Sequence, residues 1–156
     1  MMKKILLFAA VALATVTLSA NPLKGWIPTR SDLLPKNPDM IKTAADSITL
    51  SGIPGMTWIL FNVNKVDAKK GQNVEITFTA SGKGKVDIGF YEYRSGFNNV
   101  GLNVKRITLT EKAQEQKVVI PIKYAQTTIF RPVFCLAPNS QIVVSKYAVT
   151  VTAPAK

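Results

Sequence analysis

Apolar and polar residues alternate along most of this chain from residue 47 onward. The clearest example is the stretch 85–94, which reads KVDIGFYEYR. Since successive side chains of a β-strand point to opposite faces, Val86, Ile88 and Phe90 predict a core face. The residues between them are then predicted to lie on the outer face of a sheet.

Seven further segments alternate in a similar way or form short apolar runs between turn-forming residues. They are 48–50, 57–66, 74–80, 100–109, 118–124, 129–136 and 141–152. Eight short strands at regular spacing predict an all-β fold, an antiparallel β-sandwich, with a jelly roll of about eight strands as the expected topology. The sandwich domain is expected over residues 47–152, followed by a short tail, 153–156.

The segment 21–46 differs, because it carries four prolines and shows little periodicity. Proline at this density disfavours a helix or a central strand, so we expect an irregular segment that wraps the domain. Trp26 lies within it and is expected to anchor the segment to the core.

Residues 1–20 have the pattern of a signal peptide. Lys3 and Lys4 precede an apolar run, and the small residues Ser19 and Ala20 suit cleavage after Ala20. The apolar run is too short for a membrane span, and Asn21 stands where a lipoprotein would need cysteine. We therefore expect a secreted or periplasmic bacterial protein, exported by a Sec-type signal, with no transmembrane segment and no lipid anchor.

The composition excludes several catalytic and metal-binding classes. The chain has no histidine and one cysteine, Cys135, which rules out histidine-based triads and zinc sites and cysteine-rich metal sites. Cys135 lies in an apolar run and is expected to be a small buried side chain. A glycosidase needs two facing carboxylates, but Asp87 and Glu92 are five apart on one predicted strand and point to opposite faces. We expect a protein that is not an enzyme and has no catalytic residues.

The charge balance is strongly basic, with 20 Lys and Arg against 9 Asp and Glu and a formal net charge of +11. Such a surface favours polyanions such as acidic polysaccharide, anionic lipid or nucleic acid, and export makes nucleic acid the least favoured. The basic residues are scattered, so solubility and protection of sheet edges by lysine is an equally open interpretation.

Candidate ligand-binding residues come from the predicted outer faces. Tyr91 and Tyr93 are two apart on one strand, and flat rings of this kind stack on sugar rings, although aromatic residues are also ordinary components of strands. In 57–66 we expect Ile59, Phe61 and Val63 in the core, which directs Trp58 and Asn62 outward. The full candidate set is Trp58, Asn62, Tyr91, Tyr93, Arg94, Asn98 and Arg131.

The polar candidates would contact the charged groups or hydroxyls of a ligand. Arg131 interrupts an apolar strand, so its guanidinium lies either at a solvated edge or in a cleft where it can hold a carboxylate or sulfate. Asn62 would orient hydroxyl groups through its amide. Arg94 and Asn98 flank a turn that would rim the same face.

Several stretches together resemble the carbohydrate-binding modules of the galactose-binding-like superfamily. They are Lys24-Gly25-Trp26, residues 47–52 (SITLSG), Trp58, residues 70–80 (KGQNVEITFTA), Leu109-Thr110 and residues 140–149 (SQIVVSKYAV). The resemblance implies a jelly-roll sandwich that binds glycan on one face or at its loop ends. Members commonly hold a structural calcium ion through acidic residues, but Ser145-Lys146-Tyr147 stands in the final strand here, so no calcium site and no other cofactor is expected.

The sequence therefore predicts a secreted, non-catalytic carbohydrate-binding module, with anionic polysaccharide among its expected ligands. The alternative is an envelope or extracellular β-sandwich that is structural or binds a protein and has no glycan ligand. Attachment to an anionic surface is a third possibility, which predicts binding that is lost in salt. The sequence leaves the oligomeric state open.

Overall fold

A computed structural model describes residues 23–153 and the backbone of residues 16–17. The signal peptide expected over residues 1–20 and its cleavage point lie outside the described residues, except for Val16–Thr17, which form a short strand. Most of the 153–156 tail also lies outside them. Among the described residues there is no helix long and apolar enough to cross a membrane.

The described chain forms an antiparallel β-sandwich of two sheets, which confirms the predicted fold class. The strands are β1 (Val16–Thr17), β2 (Trp26–Pro28), β3 (Ile41–Thr43), β4 (Ser47–Ser51), β5 (Trp58–Asn62), β6 (Val66–Asp67), β7 (Asn73–Lys83), β8 (Val86–Arg94), β9 (Asn98–Ile107), β10 (Gln114–Pro121), β11 (Ile129–Leu136) and β12 (Gln141–Thr152). Sheet I has the order β10-β7-β12-β4-β3, and β1 also pairs with β12. Sheet II has the order β2-β5-β11-β8-β9, and β6 also pairs with β11.

Each of the eight segments predicted to be strands overlaps one of the longer strands, β4, β5 and β7 to β12. The 21–46 segment is more regular than we expected. It contributes β2 to the edge of sheet II and β3 to the edge of sheet I, with two short 3-10 turns between them. Both strands have only three residues, which is a length that proline-rich sequence can sustain at a sheet edge.

The core lies between the two sheets and contains a cluster of four aromatic rings. Trp26 and Phe134 come from sheet II, whereas Phe78 and Tyr147 come from sheet I. The Trp26 and Phe134 ring centroids are 4.8 Å apart, and Tyr147 lies 6.0 Å from Phe134. Trp26 is 5% exposed, so it anchors the N-terminal segment as predicted.

A β-bulge in β12 brings Tyr147 into this cluster. The register with β7 shifts between Ser145 and Ala148, and Lys146 adopts a φ of 51°. An extra residue in one strand changes which side chains point inward. Ile142 and Val144 precede the bulge and Tyr147 lies within it, so the shift keeps all three side chains buried.

The carboxylate of Glu92 is fully buried at the end of β8 and fixes the loop between β10 and β11. Its oxygens accept hydrogen bonds from the backbone N–H groups of Lys123 and Tyr124, at 3.1 and 3.2 Å, and from the hydroxyl of Thr127 at 2.5 Å. The side-chain amide of Asn103 on β9 is a fourth donor. This carboxylate therefore connects β8, β9 and the loop between β10 and β11.

Candidate functional site

The outward side of sheet II is unusually apolar, and we call it the outer face. The cross-strand register places one row of facing positions across all five strands, Ile27, Phe61, Val133, Gly89 and Val104. Strands are about 4.8 Å apart, so this row spans about 19 Å. The side chains at its two ends, Ile27 and Val104, are 39% and 36% exposed.

A second row begins at Arg131 on β11, which faces Tyr91 on β8, and Tyr91 in turn faces Leu102 on β9. Tyr93 is the next outward residue of β8, and its ring centroid lies 6.3 Å from that of Tyr91. Phe97, in the turn between β8 and β9, lies 6.5 Å from Tyr93 and is 50% exposed. Three rings of the β8–β9 hairpin therefore gather beside Arg131.

Arg131 lies at the centre of these rings. Its guanidinium carbon is 5.0 Å from the centroid of Phe97, 5.6 Å from that of Phe61 and 5.8 Å from that of Tyr93. We call Phe61, Tyr91, Tyr93, Phe97 and Arg131 the Arg131 cluster. Burial raises the pKa of both tyrosines, and for Tyr93 the neighbouring Arg131 partly offsets that rise, so both hydroxyls are protonated donors at neutral pH.

The predicted orientation of β5 was wrong. Trp58, Leu60 and Asn62 are buried at 3%, 0% and 1% exposure, whereas Val63, assigned to the core from the sequence, is 42% exposed. Phe61 lies on the outer face opposite Val133. Trp58 and Asn62 therefore do not share a surface with the tyrosines.

The buried amide of Asn62 has a local structural role instead. It donates to the carbonyl of Lys24 at 3.0 Å and accepts from the backbone N–H of Asn64 at 2.9 Å. These bonds fix the chain where it enters β2 and leaves β5. Both the nitrogen and the oxygen of this amide therefore have partners within the fold, as buried polar groups normally do.

Arg94 and Asn98 are exposed and flank the tight turn that carries Phe97. Asn98 donates from its side chain to the carbonyl of Ser95 at 3.2 Å, so it stabilises this turn. Of the seven residues predicted from the sequence, the structure brings Tyr91, Tyr93 and Arg131 together, places Arg94 and Asn98 at the adjacent rim, and buries Trp58 and Asn62. The sequence assigned Phe61 to the core and so missed it, and it also missed Lys65, whose ammonium nitrogen lies 5.4 Å from the Phe97 ring centroid, because a single lysine carries no distinguishing signal.

Phe97 has a strained backbone. Its φ is 60°, in the left-handed region that large L-residues rarely occupy, and it follows Gly96 at φ 77°. Backbone strain of this kind tends to occur at functional sites. The backbone conformation of Phe97 is independent of the ring distances, and it indicates the same end of the outer face as the candidate binding site.

Cys135 lies on the outer face next to Ile59 and Asp87 in the register, and it is buried, as predicted. Burial, with a smaller contribution from the nearby Asp87 carboxylate, raises the pKa of its thiol to about 11. The thiol is therefore protonated and a poor nucleophile at neutral pH. Asp87 itself forms an ion pair with Arg106, whose Nη2 atom lies 3.0 Å from the Oδ2 atom of Asp87. Glu92 lies on the opposite, buried face of β8, as the sequence predicted.

No family model matches the chain, and no curated protein matches it. Solved structures do. A family 29 carbohydrate-binding module in complex with mannohexaose aligns with a TM-score of 0.59 at 13% identity, over 92% of this chain and 95% of that one. A CBM4 structure aligns with a TM-score of 0.53 at 11% identity, over 88% of this chain and 86% of that one.

The chain has the jelly-roll fold of carbohydrate-binding modules. It also aligns with the enzymatically active domain of tailspike protein 4 from bacteriophage CBA120, with a TM-score of 0.53 at 10% identity. That alignment covers 89% of this chain but only 18% of the tailspike chain. At these identities the likeness establishes the fold, whereas the ligand must be argued from the outer face itself.

Proposed function

We propose that this chain is a secreted, non-catalytic carbohydrate-binding module that holds a polysaccharide on the outer face of sheet II. The observation that carries the proposal is the Arg131 cluster, in which four aromatic rings and a guanidinium gather at one end of the outer face of a module-like jelly roll. Pyranose rings present apolar C–H groups to aromatic faces and hydroxyls to polar side chains. Ile27 and Val104 add exposed apolar side chains at the two edges of the same face.

Anionic polysaccharides are among the proposed ligands. The chain has a net charge of +11, of which the expected signal peptide accounts for only two positive charges. A basic surface raises the local concentration of a polyanion and speeds its encounter with the binding face. The proposal requires no cofactor, because stacking and hydrogen bonding supply the contacts.

The test is affinity electrophoresis of the protein through gels that contain individual soluble polysaccharides, both neutral and acidic. We expect the protein to be retarded by at least one, and Tyr93→Ala to bind about tenfold more weakly or worse, since stacking on one ring contributes roughly 1–3 kcal/mol. Tyr124→Ala is the matched control, because this exposed tyrosine packs on Gly101 away from the outer face. Equal retardation of Tyr93→Ala and the parent protein would place binding elsewhere.

A second variant separates binding from folding at Phe97. Asparagine tolerates the left-handed region better than phenylalanine does, so Phe97→Asn is expected to leave the free energy of unfolding unchanged or raise it by up to about 1 kcal/mol. The same variant should lose several-fold in glycan affinity, because it removes a half-exposed ring of the Arg131 cluster. Urea unfolding and gel retardation measure the two effects. A variant that is destabilised but still binds fully would show that Phe97 serves the fold.

The second candidate is a structural or protein-binding role, favoured by the exposed apolar side chains of the outer face. Ile27, Leu102 and Val104 are each between 36% and 39% exposed. Exposed apolar side chains of this kind also occur at protein interfaces. If no polysaccharide retards the protein at any ionic strength, this candidate replaces the first.

A further inference from the structure

The guanidinium of Arg131 is held by aromatic rings on several sides and lacks an anionic partner. Phe61, Tyr93 and Phe97 lie within 5.8 Å of its central carbon. Its Nε atom is buried and makes no hydrogen bond. A cation in a partly buried setting normally has an anionic partner, so the half-buried, unpaired Arg131 is a side chain positioned for an anion outside the chain.

No carboxylate of the described chain supplies that partner. Of the acidic residues on the outer face, Asp87 is paired with Arg106. Asp67 lies on β6 opposite Ile129, and its carboxylate is not within the 4 Å ion-pair distance of the Arg131 guanidinium. Arg131 is therefore an uncompensated positive charge within the most aromatic part of the face.

A second cation lies beside the same ring. The ammonium nitrogen of Lys65 is 5.4 Å from the centroid of Phe97, and the Arg131 guanidinium carbon is 5.0 Å from it. Among the described residues Lys65 also has no carboxylate within ion-pair distance. Two unpaired cations around one exposed ring create a local positive potential.

We propose that the polysaccharide bound by this face carries a carboxylate or a sulfate ester on the sugar next to Phe97, and that Arg131 binds this group with help from Lys65. The inference rests on the proposed function and specifies its ligand class, an acidic glycan. The planar guanidinium matches a two-oxygen anion through paired N–H donors. The surrounding rings exclude water and strengthen that contact, while they stack on the sugar that bears the charge.

The test compares each bound acidic polysaccharide with its neutral counterpart. Alginate, polygalacturonate and a sulfated galactan are each paired with the carboxyl-reduced or desulfated form of the same backbone. Binding is measured by affinity electrophoresis at low and at physiological salt for the parent protein, Arg131→Ala, Arg131→Lys and Lys65→Ala. Arg30→Ala is the control, because it removes one exposed positive charge that lies just after β2 and is already paired with Asp32.

For the parent protein we expect at least tenfold tighter binding of one acidic form over its neutral counterpart at physiological salt. Arg131→Ala should bring this ratio close to one, Arg131→Lys should restore it in part, and Arg30→Ala should leave it unchanged. Equal binding of acidic and neutral forms by the parent would overturn the inference and leave the carbohydrate-binding proposal standing. A preference that disappears in salt and falls equally in Arg30→Ala would also overturn it, since net charge would then be its cause. Binding of neither form would contradict both proposals.

Discussion

Replacing Trp58 with alanine is expected to destabilise the protein by about 3–5 kcal/mol, the usual cost of removing a large aromatic side chain from a core. Trp58 is 3% exposed and faces Leu136 across the β5–β11 register, on the inner side of sheet II. Phe61→Ala, three residues along the same strand, is expected to cost much less stability because Phe61 points to the outer face. Urea unfolding of the two variants, compared through their midpoints and slopes, measures the difference.

For glycan affinity the order of effects should be reversed, with substitution of Phe61 costing more than substitution of Trp58. Phe61→Ala removes one ring of the Arg131 cluster and should weaken binding about tenfold, whereas Trp58→Phe, a milder core change that keeps the protein folded, should bind like the parent. Both tryptophans are buried, so saturating glycan should leave the tryptophan emission spectrum unshifted. A blue shift on binding, or lost affinity in Trp58→Phe, would contradict the inward position of Trp58. It would support the outward position that was predicted from the sequence.

That orientation could not be read from the sequence because both faces of β5 are apolar. Alternation assigns a face only when one set of side chains is apolar and the other is polar. The segment WILFN offers two apolar sets, and the sandwich buries the one that contains tryptophan and asparagine. The apolar outer face makes this side of the sheet a candidate binding surface. Because it is apolar, the sequence of β5 does not show which of its two sides points to solvent.

Other features were predictable because their signals are local. In β8 the inward and outward sets differ clearly in polarity, so the outward position of Tyr91 and Tyr93 was correct. The two sheets and the antiparallel sandwich followed from strand length and turn residues. The ring contacts of Arg131 depend on residues 34 and 70 positions earlier, at Phe97 and Phe61, and no local pattern specifies such pairs.

The buried carboxylate of Glu92 is a similar case of distant partners. Alternation places Glu92 on the buried side of β8, yet its donors lie 11 to 35 residues further along the chain. They could be recognised only after β9 and the loop between β10 and β11 were packed against β8. Once assembled, this network holds the end of the same strand that presents Tyr91 and Tyr93, so it supports the candidate site from beneath.

Glu92→Ala is therefore expected to destabilise the protein by about 3 kcal/mol or more, because each buried donor left without an acceptor costs roughly 1–3 kcal/mol. Glu92→Gln should also be strongly destabilising despite its nearly identical shape. Each carboxylate oxygen accepts two hydrogen bonds, so an amide nitrogen in either position would oppose two donors. Glu75→Gln is the matched control, since this partly exposed carboxylate pairs with Lys117 on the surface of sheet I and should cost less than about 1 kcal/mol.

Hydrogen exchange distinguishes loss of this network from a general loss of stability. In Glu92→Gln the amide of either Lys123 or Tyr124 should exchange faster by a larger factor than those of the central strands, because one of the two acceptor oxygens has become an amide nitrogen while the core is intact. Glycan affinity should fall with them, since the end of β8 that carries Tyr93 is no longer fixed to the loop. If Glu92→Gln matched Glu75→Gln in stability and in the exchange of these two amides, the buried carboxylate would not be what holds this loop to the sandwich.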